Sequence, residues 1–323
     1  MRITTLGRTG PEVGVVGLGC MGMTFAYDMH AARDEATSIA VIHEALDLGV
    51  TLVDTADVYG PFTNEELVGR ALAGGRRDRA VLATKVGLTL GPRSAPGTPE
   101  LIRDGRPEHV RQAIDESLRR LGTDHVDLYQ LHRVDPEVPL EETWGAMAEA
   151  VTAGKARHLG LSEVTVEQVK QAQAVHPVTS VQSEMSLWTR DALAEVLPYC
   201  TEQGIGFLPF SPLGRGFLAG RFASVDDLPE GDFRRANPRF QQEAMAANQT
   251  IVDGVRAIAD QVGATPAQVA LAWVVAQGPY VVPIPGTKTP KYLADNAGAG
   301  DLTLSPEHRA ALDALPAPHG DRY

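Results

Sequence analysis

The chain has 323 residues, 43 % of them hydrophobic and 22 % charged, and its 41 acidic against 29 basic side chains give a formal net charge of −12. That balance opposes nonspecific binding to nucleic acid or to acidic membranes, yet leaves room for a local basic pocket that takes a phosphate. A chain this long can bury a large core, and α/β barrels of this size fold as one unit, so a single domain over 1–323 is expected. The two cysteines, Cys20 and Cys200, match no metal-ligand spacing. No apolar leader follows Met1 and no run of about 18 apolar residues occurs, so a cytoplasmic protein with reduced thiols, no metal and no membrane span is expected.

Residues 2–17 read as a hairpin about the turn Gly7-Arg8-Thr9-Gly10-Pro11, suited to plug the bottom of a barrel. A strand at 16–20 opens into Met21–Tyr27, where Gly22 permits close backbone approach and Phe25 and Tyr27 could wall a pocket. A helix over 36–48 stops at Gly49. Strands at 51–54, 80–85, 126–131, 158–162, 180–184, 205–210 and 281–284 then alternate with helices at 64–73, 107–121, 140–153, 165–174, 191–203, 265–277 and near 290–297. Strand–helix alternation implies a parallel sheet with right-handed crossovers, and eight repeats close a (β/α)8 TIM barrel. The rival is a doubly wound open sheet, against which stands the lack of G-x-G-x-x-G after the first strand. Two connections exceed structural need, 87–106 after the third strand and 213–248 after the seventh, and a helix at about 249–262 grows within the second. Loops of this length are usually functional.

Three apolar runs end on chemistry. Leu52-Val53 leads to Asp54 and then Tyr59, Val81–Thr84 to Lys85, and Asp127–Leu131 to His132. Neighbouring strands lie about 4.8 Å apart, so three adjacent strand ends bring these side chains within about 10 Å at one mouth. A lysine beside a tyrosine stabilises the phenolate and lowers a pKa that starts near about 10, making Tyr59 an acid close to neutral pH. Asp54 would keep Lys85 charged, and His132 could orient a carbonyl oxygen. Singly, such residues serve as caps, solvated cations or packing groups. Together they suit protonation of a developing alkoxide.

The run Leu52-Val53-Asp54-Thr55-Ala56-x-x-Tyr59-Gly60, with Ala83-Thr84-Lys85, Leu131-His132, Gly160-Leu161-Ser162 and Pro283-Ile284-Pro285-Gly286-Thr287-Lys288, resembles the aldo-keto reductases. The likeness covers nearly the whole chain in order and is similar to the bacterial and plant branch in which His132 is followed by Arg. It implies a (β/α)8 barrel, an extended NADPH/NADP+, a small-molecule carbonyl substrate, and Asp54, Tyr59, Lys85 and His132 as the catalytic four. It further implies cofactor contacts at Gly22, Met23, Asp54, Ser162, Glu163 and Gln182, with Phe210 against the nicotinamide ring. Glu163 stands where many relatives carry Asn. Ser211, Pro212, Leu213, Gly214, Arg215 and Gly216 match the loop that wraps the pyrophosphate; Gly286, Thr287 and Lys288 match the 2′-phosphate site, and Asp295 and Asn296 the adenine end. Tyr292 replaces an Arg of some relatives, so Lys288, aided by Lys291, carries the preference for NADP over NAD.

The pocket above would be lined by Phe25, Tyr27, Phe62 and Trp188, mostly apolar positions that favour aromatic or medium-length aldehydes over sugars; Trp188 fits a core or interface role as well. Two other functions stay open. One is an aldolase with Lys85 as Schiff-base nucleophile, opposed by Asp54, which raises a lysine pKa. The other is a slow, cofactor-holding regulatory subunit. The oligomeric state is not fixed by the sequence.

Overall fold

The protein is described here by a computed structural model covering residues 1–25, 27, 34–94 and 100–322. Seven strands form one parallel sheet in chain order: Leu18–Gly19, Leu52–Asp54, Val81–Val86, Val126–Leu131, Ala156–Ser162, Ser180–Glu184 and Gly206–Phe210. The expected eighth strand is present as a bridging segment that closes the ring. Val282 N donates to Phe207 O at 2.9 Å and Ile284 N to Pro209 O at 3.0 Å on one side, while Gly17 N donates to Pro283 O at 2.9 Å and Gly19 N to Pro285 O at 3.3 Å on the other. Proline has no N–H, so Pro283 and Pro285 can offer the first strand only their carbonyls and no regular ladder forms.

A helix follows each strand and the closing segment: Glu35–Asp47, Thr63–Leu72, Pro107–Leu121, Leu140–Thr152, Val166–Gln173, Val196–Gln203, Pro266–Val275 and Pro290–Gly298. The architecture is a (β/α)8 TIM barrel. Local chemistry sets the helix ends. Thr165 with Gln168 and Thr265 with Gln268 form capping boxes, and Gly122 ends its helix at φ 64, a left-handed turn that favours glycine. The N-terminal hairpin pairs Ile3–Thr5 with Glu12–Gly14 and drives Leu6 and Val13 into the barrel floor, where they meet Leu52, Ala83, Leu128 and Leu208. The larger apolar layer, with Tyr129, Trp144 and Phe207 fully buried, lies between strands and helices.

Both long connections carry structure of their own. The first holds a small hairpin, Leu88–Leu90 with Leu101–Arg103, and its residues 95–99 lie outside the described part of the chain. In the second, the helix starts at Gln242 rather than near 249 and runs to Val262, because the strong helix formers from Gln242 to Ala247 extend it and bury Met245. A helix at Pro306–Asp313, not foreseen from the sequence, is capped by Ser305, whose Oγ accepts from His308 N at 3.2 Å. Among the described residues no helix is long and apolar enough to cross a membrane.

Candidate active site

Side chains two apart on a strand share a face, and here the inward face changes character over one such step. Leu52, Ala83 and Leu128 belong to the apolar floor. Two residues on, Asp54, Lys85 and Gln130 form a polar layer: Lys85 Nζ donates to Asp54 Oδ1 at 2.5 Å, to Thr55 O at 2.8 Å and to Tyr59 Oη at 3.2 Å. The other oxygen of Asp54 accepts from Gln130 at 3.0 Å and Gln182 at 2.9 Å. The carboxylate is thus fully engaged, and the lysine is aimed at the phenol. The Tyr59 ring meets the His132 ring edge-on at 5.8 Å between centroids and stacks with Phe25 at 6.2 Å. Asp54, Tyr59, Lys85 and His132 are brought together as the strand-end pattern requires.

The electrostatics depart from expectation in one respect. Burial raises the Tyr59 pKa above its ordinary value of 10, and the Lys85 charge lowers it by less than burial raises it. The phenol therefore keeps its proton, a reversal of the sequence-based expectation, because desolvation disfavours a phenolate more than one neighbouring cation favours it. Burial also pulls Lys85 down, but Asp54 and Tyr59 outweigh it and the net shift is upward. His132 is pushed well below 6.5 by burial, then by Lys85 and Arg133, so its ring is neutral. Its buried Nδ1 has no partner among the described residues.

Asp54, Tyr59 and His132 open on a cavity of about 560 Å³, where they meet Ser162, Gln182 and Phe210, and whose outer wall includes Phe25, Tyr27, Leu88, Leu101 and Phe233; Lys85 lies buried behind them. A second cavity of about 410 Å³ adjoins it, and Gly22, Tyr27, Ser211, Arg215 and Gly286 line both. Its far end gathers Thr287, Lys288, Asp295 and Asn296, and its near end Pro212, Leu213 and Gly216. Ser211 at φ 49 and Arg215 at φ 57 sit in left-handed backbone, as do Gly214 and Gly216 on either side of Arg215, so the loop is tightly coiled. Asp295 also accepts from Thr265 Oγ1 at 2.8 Å. One joined groove thus runs from a buried acid to a basic end marked by Lys288.

Five expected residues lie elsewhere. Phe62 faces an outer groove between helices, with the Arg120 guanidinium 5.0 Å from its ring, and does not line the mouth. Trp188 is 2 % exposed and packs on Phe217 at 4.8 Å and Phe240 at 5.7 Å, a core residue rather than a wall. Met23 is buried beneath the loop it was expected to face from. Gly214 is buried where an added Cβ would come within 2.6 Å of the Trp188 ring, so it makes room for packing. Glu163, at φ 54, turns its carboxylate to Glu184 N at 3.0 Å and Arg322 Nη2 at 2.7 Å, outside the lining of both cavities.

Several residues of the site were not singled out from sequence. Gln130 could have been, since strand alternation puts it on the same face as Leu128. Arg133, which lines the mouth and donates to Ser162 Oγ at 3.2 Å, directly follows the strand-end histidine. Leu88, Leu101, Arg221 and Phe233 come from the two long connections, where no periodicity points inward.

Comparisons with known proteins give the family and the fold. The model of the Aldo/keto reductase family matches residues 15–317. A probable aldo-keto reductase 1 of Glycine max is 45 % identical over 312 residues, covering 96 % of this chain and 88 % of that protein. Among solved structures, a glycerol dehydrogenase of Gluconobacter oxydans superposes with a TM-score of 0.87 at 30 % identity, over 96 % of this chain and 94 % of that one. An aldo/keto reductase of Klebsiella pneumoniae in complex with NADP and acetate gives 0.75 at 27 % identity, over 99 % and 97 %.

Proposed function

The chain belongs to the aldo-keto reductase family, and from that premise we propose that it reduces aldehydes and ketones to alcohols with NADPH, Tyr59 serving as the proton donor. The observation that carries this reading is the buried relay in which Asp54 lies 2.5 Å from Lys85 and Lys85 3.2 Å from the Tyr59 hydroxyl, at the floor of an open cavity. NADPH, when bound, would supply a hydride to the carbonyl carbon. Tyr59 then passes its proton to the carbonyl oxygen as negative charge grows there, and Lys85 stabilises the phenolate left behind. Neutral His132, beside the phenol, orients the oxygen by a hydrogen bond. Asp54 holds Lys85 charged and fixed.

The joined groove suits a dinucleotide. Ser162, Gln182 and Phe210 would hold the nicotinamide end, Ser211 to Gly216 with Arg215 the diphosphate, and Gly286, Thr287, Lys288, Asp295 and Asn296 the adenosine end. Lys288 would favour the additional phosphate of NADP, and the NADP complex of the Klebsiella relative supports the same choice. The apolar wall of Phe25, Tyr27, Leu88, Leu101 and Phe233 favours aromatic or medium-length aldehydes over open-chain sugars. Two buried, unpaired cysteines fit a cytoplasmic location. A Schiff-base role for Lys85 is disfavoured, since a nucleophilic lysine needs a lowered pKa and this one is raised.

The test follows cofactor absorbance with NADPH and NADH in parallel on 4-nitrobenzaldehyde, for the wild type and Tyr59→Phe. NADPH-linked turnover lost in the variant, with NADPH still bound, is the expected result. Tight NADPH binding with no turnover in the wild type would instead assign the regulatory-subunit role, and faster turnover of open-chain sugars would overturn the substrate class.

A further inference from the structure

The proton relay leaves one cation of the mouth without a task. Arg133 follows the strand-end His132, is partly buried, and lines the same cavity as Tyr59. One nitrogen of its guanidinium makes the contacts that hold it: Nη1 donates to His132 O at 2.6 Å and to Ser162 Oγ at 3.2 Å. Nε and Nη2 have no acceptor among the described residues, and neither atom is sealed into the interior. These two nitrogens form an edge that presents two parallel N–H groups, the geometry that matches a carboxylate. The side chain is therefore anchored by one arm with a binding edge left over.

No protein carboxylate meets that edge. Among the described residues Asp54 is the one acid that lines the cavity, and Lys85, Gln130 and Gln182 already engage both of its oxygens. Asp135, two positions along the chain, accepts from Gly105 N at 2.9 Å and Glu137 N at 3.0 Å and makes no ion pair with Arg133. Other partly buried arginines are treated differently: Arg77 reaches Asp127 at 2.8 Å, and Arg120 reaches Glu65 at 2.7 Å. Withdrawing a cation from water without an opposite charge is unfavourable, so an arginine held this way at a mouth suits a charge that arrives with the ligand. Its field already reaches the catalytic rings, since burial, Lys85 and then Arg133 together lower the pKa of His132.

We propose that Arg133 is a specificity-determining residue: its unused edge forms an anion subsite, and the carbonyl substrates of this site carry a carboxylate beside an apolar body. This rests on the carbonyl-reduction reading above and narrows its substrate class. Met21, Phe25, Leu88, Leu101 and Phe233 supply the apolar part of the match. With Asp54 neutralised by Lys85, Arg133 offers an incoming anion a positive charge that the cavity does not otherwise cancel, against the negative balance of the chain as a whole. A neutral aldehyde of the same shape gains nothing from that charge.

The experiment measures kcat/KM with NADPH for two isosteric pairs, 4-carboxybenzaldehyde against 4-nitrobenzaldehyde and 3-carboxybenzaldehyde against 3-nitrobenzaldehyde. It compares the wild type, Arg133→Gln and Arg133→Lys, and follows NADPH affinity by fluorescence. Carboxylate and nitro groups share size and planarity but differ in charge, so the carboxy-to-nitro ratio within each protein reads the charge and cancels any general loss of activity. In Arg133→Gln the ratio should fall on the order of tenfold in at least one pair, mainly through a raised KM for the acid. Arg133→Lys keeps the charge without the edge, and its ratio should lie between those of the wild type and the Gln variant. Unchanged ratios in both pairs, or equal ratios in the Lys and Gln variants, overturn the proposal. Weaker NADPH binding with unchanged ratios does so as well, and assigns Arg133 to the nicotinamide end through Ser162. A wild type that reduces the nitro compounds but neither acid sinks the subsite alone, whereas one that reduces neither class sinks the reading beneath it.

Discussion

The floor and the mouth of the barrel are built from the same strands one step apart, and they obey opposite rules. Leu52, Ala83 and Leu128 are packed against Leu6 and Val13 of the hairpin and need only volume and apolarity. Asp54, Lys85 and Gln130, two residues further and so roughly 7 Å higher, need partners for every polar atom, because a buried charge without one is far more costly than a lost methyl group. Stability is concentrated in the lower layer and reactivity in the upper, and the division can be attacked from either side.

The largest effect should come at the mouth. Tyr59→Phe removes one hydroxyl that Lys85 approaches, so carbonyl reduction should fall by about 10²–10⁴-fold, while the unfolding free energy in urea changes by about 1 kcal/mol or less. A fold loss as large as the rate loss would erase the distinction between the layers. At the floor, Leu128→Ala should cost about 2–5 kcal/mol in the same titration and leave kcat/KM of the folded fraction unchanged. If catalysis collapses with it, the floor also positions the site above it.

A smaller effect is expected from pH. His132 holds a pKa well below 6.5 in the folded protein, whereas in the unfolded chain it titrates near about 6.5. As pH falls through that value the unfolded state binds a proton that the folded state refuses, so this contribution to stability is present above about 6.5 and lost below it. The melting temperature should drop between pH 7 and pH 5, and His132→Gln should flatten that slope; an equal slope in the variant would show that the ring titrates freely. Smallest of all, Phe62→Ala should cost about 0.5–1 kcal/mol through its contact with Arg120 and leave KM for aromatic aldehydes untouched. A raised KM would return Phe62 to the substrate pocket.

What the sequence disclosed follows the same division. Strand-end residues were legible because an apolar run that stops on Asp54, Lys85 or His132 is a local signal, and their order fixes which ends are neighbours. The direction of the Tyr59 shift was not legible: it depends on how completely the Phe25 side and the strand mouth shut out water, a property of the assembled loops. Phe62 was misplaced, and the two readings of Trp188 stayed undecided, because aromatic identity says nothing of which side of a connection a ring takes; Phe62 turns outward at φ 67, and Trp188 takes the core place, against Phe217 and Phe240. The helix at Pro306–Asp313 was missed, although Ser305 followed by Pro306 is a local start signal. The pairing of Arg322 with Glu163 and Glu184 was not legible, since 159 and 138 residues separate the partners and no periodicity connects them.

The closing segment gives the ring a seam. Where the other strands exchange amide hydrogens for carbonyls in both directions, Pro283 and Pro285 only receive. Gly17 and Gly19 therefore report on the joint, and their amide protons should exchange with solvent sooner than those of Leu128 or Leu161 deep in the regular ladder. Breathing of the barrel would begin there, beside Ile284 and Gly286 in the wall of the mouth. The place where the cylinder is least firmly stitched is also the place through which its groove can widen.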